Sequence, residues 1–321
     1  MPTSNSIVIS AGSSLLKKKG FLYEIVKNKI LYIMVIPAIV FFILNSYAPM
    51  FGIYLAFTRY DFRGGIFGSP FIGLENFRYL FESGSLWMIT RNTLLYNTVF
   101  IFVGNGLQIF FAILLAGIPG RIFKKTTQSI MFLPYFISYV IIGAFVYNIL
   151  NYERGALNTI LMSLGLERFD AYNTPFFWPF TLVFFYLWNM LGYGTVIYLA
   201  AILGISDEYY EAAEIDGANV FQQIKSITLP LLKPTFITLL LLSIGSILRG
   251  QFQLFYNIIG SNGVLYPVTD IIDTYVYRSV TTTFDIGMGS AAGLYQSAFG
   301  FALIMIVNTI IKKINEDYAL F

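Results

Sequence analysis

Neither cysteine nor histidine occurs in this sequence of 321 residues. Without cysteine there are no disulfides, thiolate nucleophiles or thiolate zinc ligands. Without histidine there are no imidazole metal sites, no haem ligation by His and no Ser-His-Asp triads. Charge is also scarce: Asp, Glu, Lys and Arg make up 12% of the chain, about half the share of an ordinary soluble domain. The net charge is only +3, and no basic cluster with interleaved aromatics marks a nucleic-acid surface. No Gly-Lys dipeptide occurs, so the chain lacks the loop that cradles nucleotide phosphates. No clustered acidic motif suggests a carboxylate metal site. Most enzyme chemistries thereby lose their usual residues.

What the chain has in abundance is apolar surface. Apolar residues make up 57%, and mean hydropathy is +0.70. A soluble fold cannot bury that much apolar surface and still present a charged exterior. A bilayer accepts it directly, provided the backbone satisfies its own hydrogen bonds in helices. Residues 30–58, 92–120, 126–152, 171–206 and 286–311 carry no charge. A sixth stretch, about 231–257, is interrupted by Arg249, with Lys233 near its start. Each reaches the roughly 20 residues that a spanning helix needs. The expectation is an all-α integral membrane protein with six spans, at about 30–57, 92–117, 127–150, 176–201, 231–256 and 288–311. Pro37, Pro49 and Pro134 lie inside or near these helices and are candidate kinks. The first apolar stretch is too long for a cleavable signal peptide's apolar core, and no small-residue cleavage pattern follows it.

Lysine placement sets an expected orientation. With the N-terminus inside, the cytoplasmic segments are 1–29, 118–126, 202–230 and 312–321. Every lysine, from the Lys17–Lys19 cluster to Lys312 and Lys313, then lies inside or just beyond an inner span end. Residues 1–29 and 312–321 are expected to be cytoplasmic tails around a transmembrane domain at 30–311. The Lys17–Lys19 cluster fits a surface helix on anionic lipid or a disordered tail.

One loop differs from everything around it. Residues 207–230 read DEYYEAAEIDGANVFQQIKSITLP. Asp207, Glu208, Glu211, Glu214 and Asp216 suit the positive end of a helix dipole, with Ser206 or Asp207 as the cap. Gly217 can take the left-handed conformation that ends a helix. Asn219 can cap a second helix, with Gln222 three residues on. There Val220, Phe221, Ile224 and Ile227 share a face, and Pro230 falls in the first turn of the next span. On pattern alone this is either a docking elbow or an interfacial loop that joins two spans.

The loop's residues carry a resemblance. Glu211-Ala212-Ala213, then Gly217, then Ile227-x-Leu229-Pro230 match the EAA-x3-G-x9-I-x-L-P signature at every defined position. Asp216 and Ala218 also fit its common DGA form. The signature marks permease subunits of binding-protein-dependent ABC importers. FIGLENFRYLF (71–81), LPYFIS (133–138), TDIIDTYVYR (269–278), AAGLYQSAFGF (291–301) and the final YALF (318–321) resemble the oligosaccharide and polysaccharide branch of that family.

The resemblance implies the type I importer fold, with the loop at 206–230 as coupling helix. ATP and Mg would be bound by a separate cytoplasmic ATPase dimer, and no cofactor by this chain. A second homologous permease and an extracytoplasmic sugar-binding protein would complete the assembly in a bacterial cytoplasmic membrane. The expected coupling residues are Glu211, Ala212, Ala213, Asp216, Gly217, Ile227, Leu229 and Pro230.

For the substrate pathway, polar residues within spans are the candidates. Arg249 leads, because an intramembrane charge is a functional hypothesis by default. A snorkelling or helix-pairing arginine stays equally open. If it faces the pathway, an anionic sugar such as a uronate oligomer is the expected cargo. Gln251, Gln253, Asn189, Tyr193, Tyr295, Gln296 and Asn308 follow, each with a helix-helix hydrogen bond as the alternative. An ion-coupled secondary transporter or channel is the competing function. It calls for carboxylates deep in the spans, and none is found there. An intramembrane enzyme lacks the residues for its chemistry.

Overall fold

The computed structural model describes residues 27–314. The expectations for residues 1–26 and 315–321 lie outside these described residues. Among them the chain is helical, apart from an isolated bridge between Thr58 and Phe71. It divides into two units, Met1–Gly52 and Ile53–Phe321.

In the first unit, α1 (Lys29–Phe42) carries no buried residue. A helix that is apolar all round suits lipid contact. It continues through a π turn, Ile43–Tyr47, into a 3-10 segment, Ala48–Phe57. Pro37 sits within α1, and Pro49 falls where the hydrogen-bond spacing tightens.

The second unit contains α2 (Glu75–Glu82), α3 (Ser85–Gly117), α4 (Arg121–Phe132), α5 (Tyr139–Leu150), α6 (Ala156–Ser163), α7 (Trp178–Leu203), α8 (Asp207–Ile215), α9 (Val220–Gln223), α10 (Leu229–Gly245), α11 (Phe252–Ile259), α12 (Ile272–Thr281) and α13 (Ile286–Ile314). Among the described residues, five helices are long and apolar enough to cross a membrane: Lys29–Phe57, Ser85–Gly117, Pro175–Leu203, Val220–Gly245 and Ile286–Lys313. The bent pair Arg121–Phe136 and Tyr139–Leu150 makes a sixth if counted as one span.

α3 and α7 form the centre. Phe100 and Tyr186 stack at 3.8 Å between ring centroids. Gly194 faces the Gln108 side chain so closely that a Cβ there would lie 2.1 Å from it. Three apolar cores flank this pair. One gathers Tyr96, Trp178, Leu254 and Phe255; the second Leu80, Ile89, Leu248, Ile272 and Ala291; the third Leu115, Tyr198, Leu199 and Leu232.

Two expected spans are altered. The stretch 127–150 is not one straight helix but turns by 88°. Pro134 sits in the 3-10 turn Leu133–Phe136, and Ser138 then caps α5 by accepting the Ile141 N–H. A bend inside lipid frees backbone carbonyls that must find donors. Asn189 of α7 supplies them, donating to Pro134 O at 2.7 Å and Ile137 O at 3.3 Å. Gly192 lets α7 approach this bend, since a Cβ there would lie 2.2 Å from Met131 O.

The expected span 231–256 changes at both ends. Its helix begins at Val220 and stops at Gly245. A turn at 246–250 follows, and then the separate helix α11. α11 packs on α5, where Gly143 leaves room that a Cβ would take from Asn257 O at 2.3 Å.

Candidate functional site

The elbow at 206–230 is built from local hydrogen bonds. α8 ends with Gly217 at φ +80°. Ala218 N–H donates to Ala213 O at 2.8 Å and Gly217 N–H to Glu214 O at 3.0 Å, the paired bonds of a Schellman ending. Asn219 then opens α9 with a full capping box: its Oδ1 accepts Gln222 N–H, and Gln222 Oε1 accepts Asn219 N–H. Ser206, an expected cap of α8, makes no side-chain capping bond.

The second half of the elbow is not a separate surface helix. α9 runs through a π turn, Ile224–Thr228, directly into α10. Pro230 has no N–H to donate, and the widened turn just before it pairs Leu229 N–H with Ile224 O. Tyr210 and Thr228 hydroxyls meet at 2.9 Å and tie α8 to the base of this helix. Ile215 and Phe221 are 87% and 83% exposed. Glu211, Ala212, Asp216 and Gly217 are exposed beside them, as are Leu229 and Pro230 on the helix that follows, and Ala213 and Ile227 are half-buried. Large apolar side chains standing out of an acidic loop form an exposed patch of the kind that meets another protein or a membrane surface.

The other end of α10 opens a polar cavity. At the turn 246–250 three carbonyls leave the helix ladder. Asn97 of α3 donates to Ile247 O at 2.7 Å and Arg249 O at 3.3 Å. Gln296 of α13 donates to Leu248 O at 2.7 Å. Gly250 N–H donates to Asp273 Oδ2 of α12 at 2.6 Å, and Gln296 reaches the same oxygen at 3.1 Å. Burial pushes the Asp273 carboxyl above its ordinary range, opposed by the bonds from Gly250 and Gln296 and by Arg249.

This turn presents Arg249 to a cavity of about 230 Å³ between α3, α7 and α10. Gln251, Tyr193, Asn97, Gln108 and Ser246 line it too, and no carboxylate does. Among the described residues Arg249 has no ion-pair partner. Tyr193 is backed by Tyr135, the rings stacked at 4.9 Å. An unpaired guanidinium, amides and a tyrosine face can hold hydroxyls, sugar rings and a carboxylate. No nucleophile with an adjacent base lies in this cavity.

The expected pathway residues therefore separate. Arg249, Gln251 and Tyr193 come together on the cavity. Arg249 does so from a turn, not from the interior of a helix that was expected to continue to 256. Asn189 and Gln296 are spent on broken backbone. The Tyr295 hydroxyl accepts from Thr90 at 3.2 Å, and its ring stacks on Phe299. Gln253 is exposed on α11, and Asn308 is buried on α13. Asn97, Asn105 and Gln108 were missed. They form a polar row at helical spacing inside an uncharged run, a signal the sequence does carry.

The segment between α11 and α13 sits where α3 begins. Asn92 donates to Asp270 O at 3.0 Å, Tyr96 to Val268 O at 2.8 Å, and Ile272 N–H to Thr93 Oγ1 at 3.0 Å. Arg278 is held there by Asp270, Nη1 to Oδ1 at 3.0 Å, and lies over the Tyr266 ring at 4.0 Å. Elbow and segment thus occupy opposite ends of the bundle.

Known proteins are similar to this chain in sequence and in fold. Residues 108–316 match the family model described as the inner membrane component of binding-protein-dependent transport systems. The chain is 33% identical over 302 residues to the polygalacturonan/rhamnogalacturonan transport system permease protein YteP of Bacillus subtilis, covering 94% of this chain and 93% of that one. It is 30% identical over 310 residues to protein LplB of the same organism. A crystal structure of a bacterial alginate ABC transporter, in complex with an alginate pentasaccharide-bound periplasmic protein, contains a chain that superposes with a TM-score of 0.81. Identity there is 28%, over 92% of this chain and 98% of that one. Helical spans, the elbow and these likenesses agree: the chain belongs to the family of binding-protein-dependent transport inner membrane components, and is a multi-pass permease subunit rather than an enzyme.

Proposed function

We propose that this permease imports acidic oligosaccharides, with the elbow as its coupling helix and Arg249 facing the cargo. A separate cytoplasmic ATPase pair binds ATP and Mg and receives α8 in a surface cleft. A second homologous permease closes the other side of the pathway, and an extracytoplasmic binding protein delivers the sugar. Both termini and the elbow lie on the cytoplasmic side, a placement that the lysine distribution supports. Nucleotide-driven closure displaces α8. The displacement passes through α9 into α10 and reaches the turn that carries Arg249, and the two permeases rock between inward- and outward-facing states.

The observation that carries this reading is continuity. The second half of the elbow and the helix that ends at the polar cavity form one continuous helical rod, Val220–Gly245, and the Tyr210–Thr228 hydroxyl contact ties α8 to its base. The likeness to transporters named for galacturonan and alginate supports an acidic cargo, as does a cavity whose charged residue is an unpaired arginine.

Gly217→Asp tests the coupling. A side chain at φ +80° costs about 1–2 kcal/mol, and the added carboxylate enlarges a close-fitting surface. The expected result is uptake at background level with normal membrane insertion. Normal uptake by this variant overturns the coupling role. Arg249→Ala tests the cargo: uptake of uronate oligomers is expected to fall at least tenfold, and that of neutral oligosaccharides much less. Equal affinity and rate for both sugars, unchanged from the parent, would remove Arg249 from the pathway.

A further inference from the structure

On the side of α3 away from the polar cavity, the structure holds a second concavity of a different character. It measures about 430 Å³ and lies between the N-terminal halves of α3 and α7, within the roughly 300–1,000 Å³ of small-ligand pockets. Leu95, Val99, Phe180 and Val183 form its walls. Arg91 stands at one end of it, exposed. At 3.6 residues per turn, Arg91, Leu95 and Val99 share one face of α3, and Asn97, Ile101, Gly104 and Gln108 the opposite one. The groove therefore does not face the cavity that carries Arg249.

Its level in the membrane is marked by Trp87, which is 73% exposed one helical turn before Arg91, because Trp and Tyr rings gather where the headgroups meet the acyl region. From Arg91 to Val99 is roughly 12 Å along the axis of α3. The groove thus runs from headgroup level into the hydrocarbon of the leaflet in which α3 begins.

The arginine is oriented but not neutralised. Its Nε and Nη2 donate to Asn92 Oδ1 at 3.3 and 3.0 Å, and Nη2 also to Pro267 O at 3.1 Å. Both acceptors are uncharged, and among the described residues no carboxylate pairs with it. A fixed guanidinium with its charge intact suits an anionic oxygen group. A cation at the headgroup level over an apolar trough matches an amphipathic anion.

We infer that this groove binds an anionic phospholipid, its phosphate on Arg91 and one acyl chain along Leu95, Val99 and Val183. The lipid then joins α3 to the segment at Pro267, because the same guanidinium holds both.

Native mass spectrometry of the purified full chain tests this, with dioleoylphosphatidylglycerol and dioleoylphosphatidylcholine titrated in parallel. The parent protein is expected to retain one phosphatidylglycerol about fivefold more tightly than phosphatidylcholine, the effect of one basic group at the surface. Arg91→Gln should remove the preference, Arg91→Lys should keep most of it, and Val183→Trp should weaken both lipids by filling the trough. Equal retention of the two lipids by the parent overturns the inference. So does an unchanged preference in Arg91→Gln, or unchanged binding in Val183→Trp. A photoreactive residue replacing Leu95 is expected to capture lipid in the membrane; capture of a second polypeptide instead would make the groove a subunit interface and overturn it too.

Discussion

The elbow at 206–230 and the turn at 246–250 lie at the two ends of one helical rod and are built in opposite ways. In the elbow, the backbone and capping bonds that shape the chain join residues no more than five apart, as in Ala218 to Ala213 and Asn219 to Gln222, and the side-chain bond from Tyr210 to Thr228 reaches 18. In the turn, the bonds reach 150, 48 and 23 residues along the chain, to Asn97, Gln296 and Asp273. A locally closed element keeps its shape while it moves, which suits a part that is pushed. An element held by three other helices changes shape when those helices move, which suits a part that must register their positions. The contrast places a rigid handle at one end of the rod and a responsive grip at the other.

Beyond the loss of uptake expected from Gly217→Asp, the largest effect should come from the grip. Asn97→Leu and Gln296→Leu each leave carbonyls without donors in a lipid-surrounded core, at about 1–3 kcal/mol apiece. Both should lower the melting temperature in detergent and reduce uptake. The double variant should lose less than the sum, because both side chains serve one turn. Full additivity would mean that the turn is not a single unit.

The handle should respond more mildly and only locally. Asn219→Ala removes a capping-box acceptor, worth about 1 kcal/mol. Hydrogen exchange should quicken at 219–223 and stay unchanged at 246–250. Faster exchange at the far turn would mean that the elbow is not closed locally.

The smallest effect concerns pH. Burial raises the Asp273 carboxyl above its unfolded value, so the folded protein holds that proton more tightly than the unfolded chain does. Stability from this group is present at pH below the unfolded pKa and is lost as pH rises through the folded one. Asp273→Asn keeps an acceptor for Gly250 and abolishes the titration. Its melting temperature should show a weaker pH dependence than the parent's across the acidic range. An identical dependence would assign the titration elsewhere.

Much of the architecture was legible in the sequence because lipid imposes a simple rule: long uncharged runs become helices. The elbow was legible for a related reason. Gly217, Asn219 and Gln222 act on their immediate neighbours, so their roles could be assigned from spacing. The limits were reached where a run is apolar enough to span but does not stay straight. Nothing in 231–256 announces a stop at Gly245, and the 88° turn in 127–150 is hinted at only by Pro134.

By itself, then, the sequence determined the membrane class, the number of apolar runs, the Gly217 turn and Asn219 cap of the elbow, and the family. Tertiary structure decided where helices break, that Asn189 and Gln296 are occupied by freed carbonyls, and that Arg249, Gln251 and Tyr193 share a cavity with Asn97 and Gln108. The physical reason is range. Helix propensity and capping are settled within a few residues, whereas a broken backbone in lipid is tolerated only where distant side chains meet it, and that meeting depends on how α3, α7, α12 and α13 pack.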